Sequence, residues 1–359
     1  MNSRISSRNR CVFVAPFLPE NPYQPLLAAA IERKGWQVVG SRRSWFVGEF
    51  LGSKAKLLHL HWLHPFFARR TVLRSLVAAA LFLLQLSILK ARRVPIVWTA
   101  HNLAAHEQRY PSIDKFITRL VVLLSNRVLA HCDWAKAELC RHFSGLSEDV
   151  VDVTPHASYI GAYPNEVDRV EARRRLQFPN DATVFLFLGA VRPYKGVDEL
   201  IDAFRKASFD ESVVLMIAGK AWTKDLAAAV RQQAGDVQGV RLFLDFVADG
   251  EVQYYMHAAD AVVFPYKNIF TSGAALLAMS FGKTIIAPKI GCMSDLLRDA
   301  GAFLYDRDDE TGLFSALRDA VASREQLGSL GDRNLKIAEQ LTWERMGGQT
   351  VSGYERCLR

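Results

Sequence analysis

An arginine and a lysine that follow a strongly apolar segment are the strongest candidates for ligand binding in this sequence. The run Phe185–Gly189 predicts a buried strand that ends in a glycine turn. Arg192, Lys195 and Gly196 follow that turn and precede a predicted helix. A glycine lets a ligand approach the backbone closely, and two cations can neutralise a diphosphate. We therefore predict a diphosphate site here, with a solvated turn carrying surface cations as the alternative.

A second polar loop follows another apolar strand of the same half. Tyr266 and Lys267 come after the strand, and Ser272 and Gly273 begin an apolar helix. Helix N-terminal N–H groups and a hydroxyl can bind an anion without a charged side chain. Simple N-capping by Ser272 is the alternative. Because both loops follow strands of one predicted sheet, we expect them to form one phosphate site.

Histidines follow two predicted strands of the first half. His101 and Asn102 come after one strand, and His106 and Glu107 lie a few residues further on. A histidine in this position can contact a sugar hydroxyl or transfer a proton near pH 7. The alternative is a capping asparagine followed by a solvated histidine–glutamate pair.

The other strand ends in the run His59-Leu-His61-Trp62. His59 and His61 lie on one side of the strand because side chains alternate along it. No further residues have the spacing of zinc ligands. We therefore predict a wall for a sugar or a lipid head group. For His59 the alternative is a core histidine that is satisfied by hydrogen bonds.

Basic residues are concentrated in the first half of the chain. The protein has 359 residues and a net charge of +8, and residues 1–165 contain 21 Lys and Arg against 10 Asp and Glu. No acidic residue lies between Glu49 and Glu107. This imbalance predicts an anionic partner for the first half. Nucleic acid is disfavoured because the basic stretch is apolar and lacks interleaved aromatic residues.

The stretch without acidic residues contains a predicted helix over Arg74–Arg93. Its core, Ser75–Leu89, is almost wholly apolar and is flanked by arginines and a lysine. Such a core spans roughly 22 Å, less than the roughly 30 Å of a bilayer interior. The helix is therefore predicted either to lie in the core or to dock on an anionic bilayer.

Strands alternate with helices in both halves of the chain. This pattern predicts an α/β protein with two doubly wound, Rossmann-like domains facing across a cleft. We place the domains at residues 1–164 and 165–341, followed by a C-terminal helix over 342–359 that crosses back to the first domain. Ligands of such sheets bind at the carboxyl ends of the strands. Five scattered cysteines without a C-x-x-C pair favour the cytoplasm.

Together these motifs resemble nucleotide-sugar glycosyltransferases of the GT-B class. Arg192-x-x-Lys195-Gly196 resembles the pair that holds the donor diphosphate in the retaining family 4. Thr99-Ala-His101 resembles the segment whose histidine faces the donor sugar. Further similarity lies in residues 278–287 and in the final helix, at Thr342-Trp343-Glu344 and Tyr354.

The chain departs from family 4 at two positions. Ile269 and Leu277 stand where that family has glutamates that contact the donor sugar and ribose. The histidine, arginine and serine motifs together are more similar to the xanthan-type β-mannosyltransferases. Those enzymes use GDP-mannose and a polyprenyl-diphosphate-linked oligosaccharide, and they invert the anomeric centre.

The resemblance implies a hexosyltransferase that moves mannose from GDP-mannose to a lipid-linked or other glycan in polysaccharide assembly. The alternatives are a UDP-sugar donor with retention, or a catalytically inactive partner subunit docked on a membrane. We expect no metal and no cofactor, since cations of the donor loops replace them. The expected location is the cytoplasm, peripherally at the inner face of the membrane.

The resemblance and the motifs together assign three groups of residues. In an inverting reaction the acceptor proton would pass to Glu107 or His61. Residues 1–164 would bind the acceptor and residues 165–341 the nucleotide sugar. The assignments are catalytic His101, Glu107 and His61; donor-binding Gly189, Arg192, Lys195, Gly196, Tyr266, Lys267, Ser272 and Gly273; and acceptor-binding Trp62, Asn102, His106 and His156.

Overall fold

The structure is a computed structural model that describes residues 10–103, 110–235 and 237–359. The chain forms two compact units, one of residues up to 156 with 342–359 and one of residues 157–341. The first unit thus ends at His156, whereas the sequence placed the boundary after Pro164. The reason lies in the backbone, because Ser158 donates to the Leu341 carbonyl and Tyr159 to the Ser280 hydroxyl, both within the second unit.

The first unit is built on a six-stranded parallel sheet with the order β2-β1-β3-β4-β5-β6. Strands β1, β3 and β4 are buried along their whole length, as expected for a sheet covered on both faces. The strands are β1 Cys11–Ala15, β2 Gln37–Gly40, β3 Leu57–Leu60, β4 Ile96–Thr99, β5 Arg127–Ala130 and β6 Val151–Val153.

Seven helices lie in the described residues of the first unit, and the last of them comes from the C-terminal segment of the chain. They are α1 Tyr23–Arg33, α2 Val47–Gly52, α3 His64–Phe67, α4 Val72–Ala91, α5 Pro111–Leu124, α6 Asp133–His142 and α15 Trp343–Cys357. Helix α15 packs on α1 through Gly347, where an added Cβ would lie 2.7 Å from the Cβ of Ala30. The Tyr354 hydroxyl on α15 also reaches His59 of β3, at 2.7 Å from Nδ1.

The second unit repeats the plan with the strand order β12-β11-β10-β7-β8-β9. Its strands are β7 Thr183–Leu188, β8 Val213–Ala218, β9 Val240–Phe243, β10 Ala261–Val263, β11 Thr284–Pro288 and β12 Ala302–Tyr305. Its helices are α7 Arg169–Leu176, α8 Val197–Ala207, α9 Lys224–Ala234, α10 Val252–Ala258, α11 Gly273–Ser280, α12 Gly291–Leu296, α13 Gly312–Ala322 and α14 Leu327–Gln340.

The predicted fold class, an α/β protein with two doubly wound parallel sheets, is confirmed. Five short elements were not predicted from the sequence: α2, α3, α7, α12 and β12. Each has at most eight residues. Segments of that length do not show a full hydrophobic period, so their identity depends on tertiary packing.

Candidate active site

Strand β7 delivers the predicted diphosphate turn to the carboxyl edge of the second sheet. Gly189 has φ 136°, and a Cβ added to it would lie 3.0 Å from the Lys195 ammonium. Gly196 has φ 68°, and its added Cβ would lie 1.9 Å from the Pro265 carbonyl oxygen. Only glycine fits at Gly196, so the loop after β7 and the loop after β10 lie in direct contact.

Lys195 occupies a desolvated position between aromatic rings. Its Nζ lies 5.9 Å from the centroid of Phe187 and 5.8 Å from that of Tyr266. Burial, with a smaller contribution from the Arg192 guanidinium, lowers the pKa of Lys195 to about 8. Both causes disfavour the charged form of the amine. An anion beside it would favour that form and so offset both effects on the pKa. A bound anion would therefore stabilise the charged form of Lys195 at this position.

Lys267 is held by carboxylates of helix α8. Its Nζ lies 2.7 Å from Asp198 and 3.5 Å from Glu199, and these contacts raise its pKa. Arg307 also contacts Glu199, at 2.9 Å. The structure thus gives Lys267 partners within the protein, and its role in binding the donor stays a prediction.

Ser272 and Gly273 begin helix α11 as predicted, and the capping alternative is observed. The Ser272 hydroxyl accepts a hydrogen bond from the Ala275 N–H at 3.2 Å. Ser272 also hydrogen-bonds the phenol of Tyr266, whose pKa is raised by burial. Tyr266 is 2% exposed and forms the floor of the loop beside Lys195. Its predicted role in binding the donor stays a prediction.

Four neighbouring strands of the first sheet are each followed by a histidine. His61 follows β3, His101 follows β4, His131 follows β5 and His156 follows β6. All four rings surround Tyr23 of α1, with ring centroids 5.0–6.0 Å from that of the tyrosine. The carboxyl edge of this sheet therefore carries a continuous imidazole wall.

His61 and His101 form a hydrogen-bonded pair within that wall. Nδ1 of His61 lies 3.0 Å from Nε2 of His101, and Trp62 stacks on His101 with centroids 4.3 Å apart. Burial lowers the pKa of both imidazoles well below the ordinary value, and the neighbouring histidines add to this effect. Both rings are therefore neutral at pH 7 and can accept or donate a hydrogen bond to a hydroxyl.

The predicted acceptor residues Trp62 and Asn102 line a small pocket within the first unit. His61 and His101 line it as well, together with Asp114 of α5. His106 and Glu107, also predicted to act here, lie outside the described residues. The pocket therefore brings together four of the residues that the sequence assigned to catalysis and acceptor binding.

His59 is a core histidine, as one of the two sequence interpretations held. It is fully buried, with Nδ1 2.7 Å from the Tyr354 hydroxyl and Nε2 2.8 Å from the Thr99 hydroxyl. Burial lowers its pKa to about 3. Among the described residues, no group of three or more His, Cys, Asp or Glu has the arrangement of metal ligands.

Sequence reasoning missed His131 and Tyr23. His131 donates from Nδ1 to the Thr154 carbonyl at 2.9 Å, and burial lowers its pKa to about 4. The signal was available in Leu129-Ala130-His131, because a histidine directly after a buried strand matches the position of His61 and His101. Tyr23 carried no such signal, since it is the first residue of α1 and lies within a proline-rich run.

Comparisons with known proteins identify the class. Residues 182–323 match the family model described as "Glycosyl transferases group 1". Sucrose-phosphate synthase from Thermosynechococcus elongatus has the same fold, with a TM-score of 0.74 and 16% identity over 98% of this chain and 99% of that one. HepE of Anabaena in complex with UDP and glucose aligns with a TM-score of 0.70 and 18% identity over 96% and 99%.

The chain is therefore a glycosyltransferase with the GT-B fold, and the match to the group 1 family model lies within its second unit. It is 26% identical over 310 residues to GDP-mannose:glycolipid 4-beta-D-mannosyltransferase of Xanthomonas campestris pv. campestris, covering 85% of this chain and 81% of that protein. It is 28% identical to D-inositol 3-phosphate glycosyltransferase of Geodermatophilus obscurus, over 73% of this chain and 61% of that protein. The predicted family and enzyme class are confirmed.

Proposed function

We propose that this glycosyltransferase transfers mannose from GDP-mannose to a lipid-linked glycan. The observation that carries the proposal is the desolvated Lys195 ammonium beside Gly189 at the end of β7, because a bound anion would offset the cost of burying its charge. The choice of mannose and of a glycolipid acceptor is supported by the similarity to the Xanthomonas mannosyltransferase over most of both chains.

The donor chemistry follows from the charge of the leaving group. Cleavage of the bond between the sugar and the nucleotide leaves a negative charge on the diphosphate. Arg192 and Lys195 would stabilise that charge where it develops, which is the main way in which such sites accelerate transfer. We propose that these cations make a divalent metal unnecessary. Transfer that persists in EDTA would support this proposal, and transfer restored only by Mg²⁺ or Mn²⁺ would contradict it.

The imidazole wall of the first unit is proposed to bind the acceptor. Neutral His61 and His101, stacked against Trp62, offer the combination of an aromatic face and hydrogen-bonding nitrogens that a sugar ring requires. Because the pKa of each histidine lies well below 7, each is a weak base in the free protein. Either one could remove the acceptor proton only if a negative charge of the bound substrate raised its pKa.

A donor screen tests the proposed function. Transfer or hydrolysis would be measured with GDP-mannose, GDP-glucose, UDP-glucose and UDP-N-acetylglucosamine, and the product anomer assigned by NMR. We expect GDP-mannose to be used with inversion. Use of a UDP-sugar with retention would favour the second candidate, which is supported by the UDP complexes of the HepE structure. Nucleotide binding without any transfer would favour the inactive partner subunit.

Helix α4 supports a membrane location, and its structure revises the sequence interpretation. It has 20 residues and a mean hydropathy of 2.1, so by length and composition it could cross a membrane. Only 33% of this apolar stretch is buried, so one face of the helix is exposed, which supports docking on a bilayer. Its inner face is tied to the unit by the buried Gln85, which accepts from the Phe46 and Val47 N–H groups. We therefore propose that α4 lies along the membrane surface.

The outer faces of α4 and α5 form one exposed apolar surface with basic residues around it. Leu73 is 72% exposed and Phe116 is 58% exposed. The apolar residues of this surface are Val72, Leu73, Leu76, Val77, Leu81 and Leu84 on α4, and Phe116 and Leu123 on α5. The exposed basic residues near it are Arg70, Arg74, Arg92, Arg93, Lys115 and Arg119. This pairing of apolar area with positive charge fits an anionic bilayer.

Vesicle sedimentation tests the membrane surface. The protein should bind vesicles of phosphatidylglycerol and phosphatidylcholine more than vesicles of phosphatidylcholine alone, and salt should weaken this binding. The double variant Leu73→Glu/Leu84→Glu should lose binding, while Phe246→Glu, an exposed apolar residue of the second unit, should not. Unchanged binding by the double variant would refute the assignment of the surface.

A further inference from the structure

Trp222 lies in the loop after β8, directly against the loop that carries the diphosphate cations. Its indole is 52% exposed, and the Arg192 guanidinium carbon lies 4.3 Å from the centroid of the ring. The two loops are joined by a short parallel bridge: Val191 donates to the Lys220 carbonyl and Trp222 donates to the Val191 carbonyl, both at 3.0 Å. The backbone therefore fixes the indole beside the arginine.

The glycines at the two strand ends make this approach possible. Gly219 follows β8 with φ 135°, and a Cβ added to it would lie 2.1 Å from the Gly189 carbonyl oxygen. Any other residue would separate the two loops. The contact between Trp222 and Arg192 thus depends on two neighbouring strands that end in the same glycine geometry.

Arg192 and Lys195 repel one another in the free protein. The Arg192 charge is one of the two causes that lower the pKa of Lys195. A guanidinium under such repulsion gains from a stacking partner that carries no charge and holds its plane.

The Arg192 guanidinium carbon lies over the ring of Trp222. An arginine stacked on an aromatic ring is held in one orientation. The geometry points to Trp222 as a positioning residue that orients Arg192 toward the diphosphate of the donor. This inference rests on the proposed function of the loop after β7 as the donor site.

Calorimetric titration with GDP and with UDP tests the inference. Trp222→Ala should weaken binding by about tenfold, the range of a partly desolvated cation–π contact, while Trp222→Phe should restore most of the affinity. Trp45→Ala, which removes a similarly exposed indole from the first unit, should bind as the wild type does. In a double-mutant cycle, the effect of Trp222→Ala should disappear in an Arg192→Ala background, because the tryptophan acts through the arginine.

Fluorescence supplies a second readout on folded protein. The change in tryptophan emission on GDP binding should be smaller in Trp222→Phe than in the wild type. Equal GDP affinity of Trp222→Ala and the wild type would overturn this inference alone, and so would an undiminished effect in the Arg192→Ala background. Failure of the wild type to bind either nucleotide would overturn the proposed function and this inference with it.

Discussion

Nucleoside diphosphate binding should weaken as the pH rises above 8, because the site then loses the charge of Lys195. In the free protein the pKa of this lysine is lowered from 10.5 to about 8. A bound diphosphate favours the ammonium form and returns the pKa toward 10.5. Binding must therefore take up a proton above pH 8, and the affinity falls as that proton becomes scarce.

The size of the effect follows from the two pKa values. With about 8 in the free protein and 10.5 in the complex, the affinity at pH 9 should be about tenfold lower than at pH 7. This corresponds to about 1.4 kcal/mol. The phosphate itself adds little to this change, since its second ionisation lies near pH 6. In the free protein the same lowered pKa makes the free energy of unfolding rise between pH 8 and 10.5.

Calorimetry with GDP in buffers of different ionisation enthalpy measures both the affinity and the proton uptake. Lys195→Met should bind roughly 10- to 100-fold more weakly at pH 7, as expected for loss of a hydrogen bond to a charged group, and its affinity should not change between pH 7 and pH 9. Lys224→Met, at the exposed start of α9, should keep the wild-type profile. A wild-type affinity that is constant from pH 7 to pH 9 would refute the reasoning.

Three further predictions concern the glycine contact and the histidines. Gly196→Ala should lower the free energy of unfolding by about 2–4 kcal/mol, because its Cβ would collide with the Pro265 carbonyl at positive φ. Urea unfolding measures this change, and Gly250→Ala, where an added Cβ meets no atom within 4 Å, is the control. An unchanged unfolding midpoint of Gly196→Ala would contradict the prediction. His101→Phe should abolish transfer in the donor assay while GDP affinity stays within about twofold; wild-type transfer would disprove a catalytic role. His59 has a pKa of about 3 in the folded protein, against an ordinary value of 6.5. Lowering the pH from 7 to 5 should therefore lower the free energy of unfolding by about 2 kcal/mol through this residue. A His59→Gln variant whose stability has the same pH dependence as the wild type would contradict this.

The structure of the loop after β7, the proposed donor site, could be predicted because its signals are local. The strand Thr183–Leu188 is a continuous apolar run, and such runs mark strands buried on both faces. The glycine turn and the two cations follow directly in sequence. Their position at the carboxyl edge of the sheet then follows from the topology that parallel α/β sheets share.

Helix α7 could not be predicted because its stability comes from distant partners. Its sequence, Arg169–Leu176, is strongly polar, yet Arg173 is fully buried. The guanidinium donates to the carbonyls of Ala182 and Ala258 and contacts Asp260 at 2.8 Å. A buried arginine with this many hydrogen-bond partners is satisfied. No feature of the local sequence pattern indicates that Arg173 is buried.

The sequence by itself determined the two-sheet fold, the diphosphate loop and the basic, apolar character of α4, because each depends on residues close together in the chain. Tertiary structure alone decided that Lys267 is engaged by α8, that α4 has an exposed outer face, and that Trp222 stacks on Arg192. It also assembled the imidazole wall around Tyr23. These outcomes depend on which strand ends become neighbours in a sheet, and adjacency in a sheet is not encoded in the spacing of the residues along the chain.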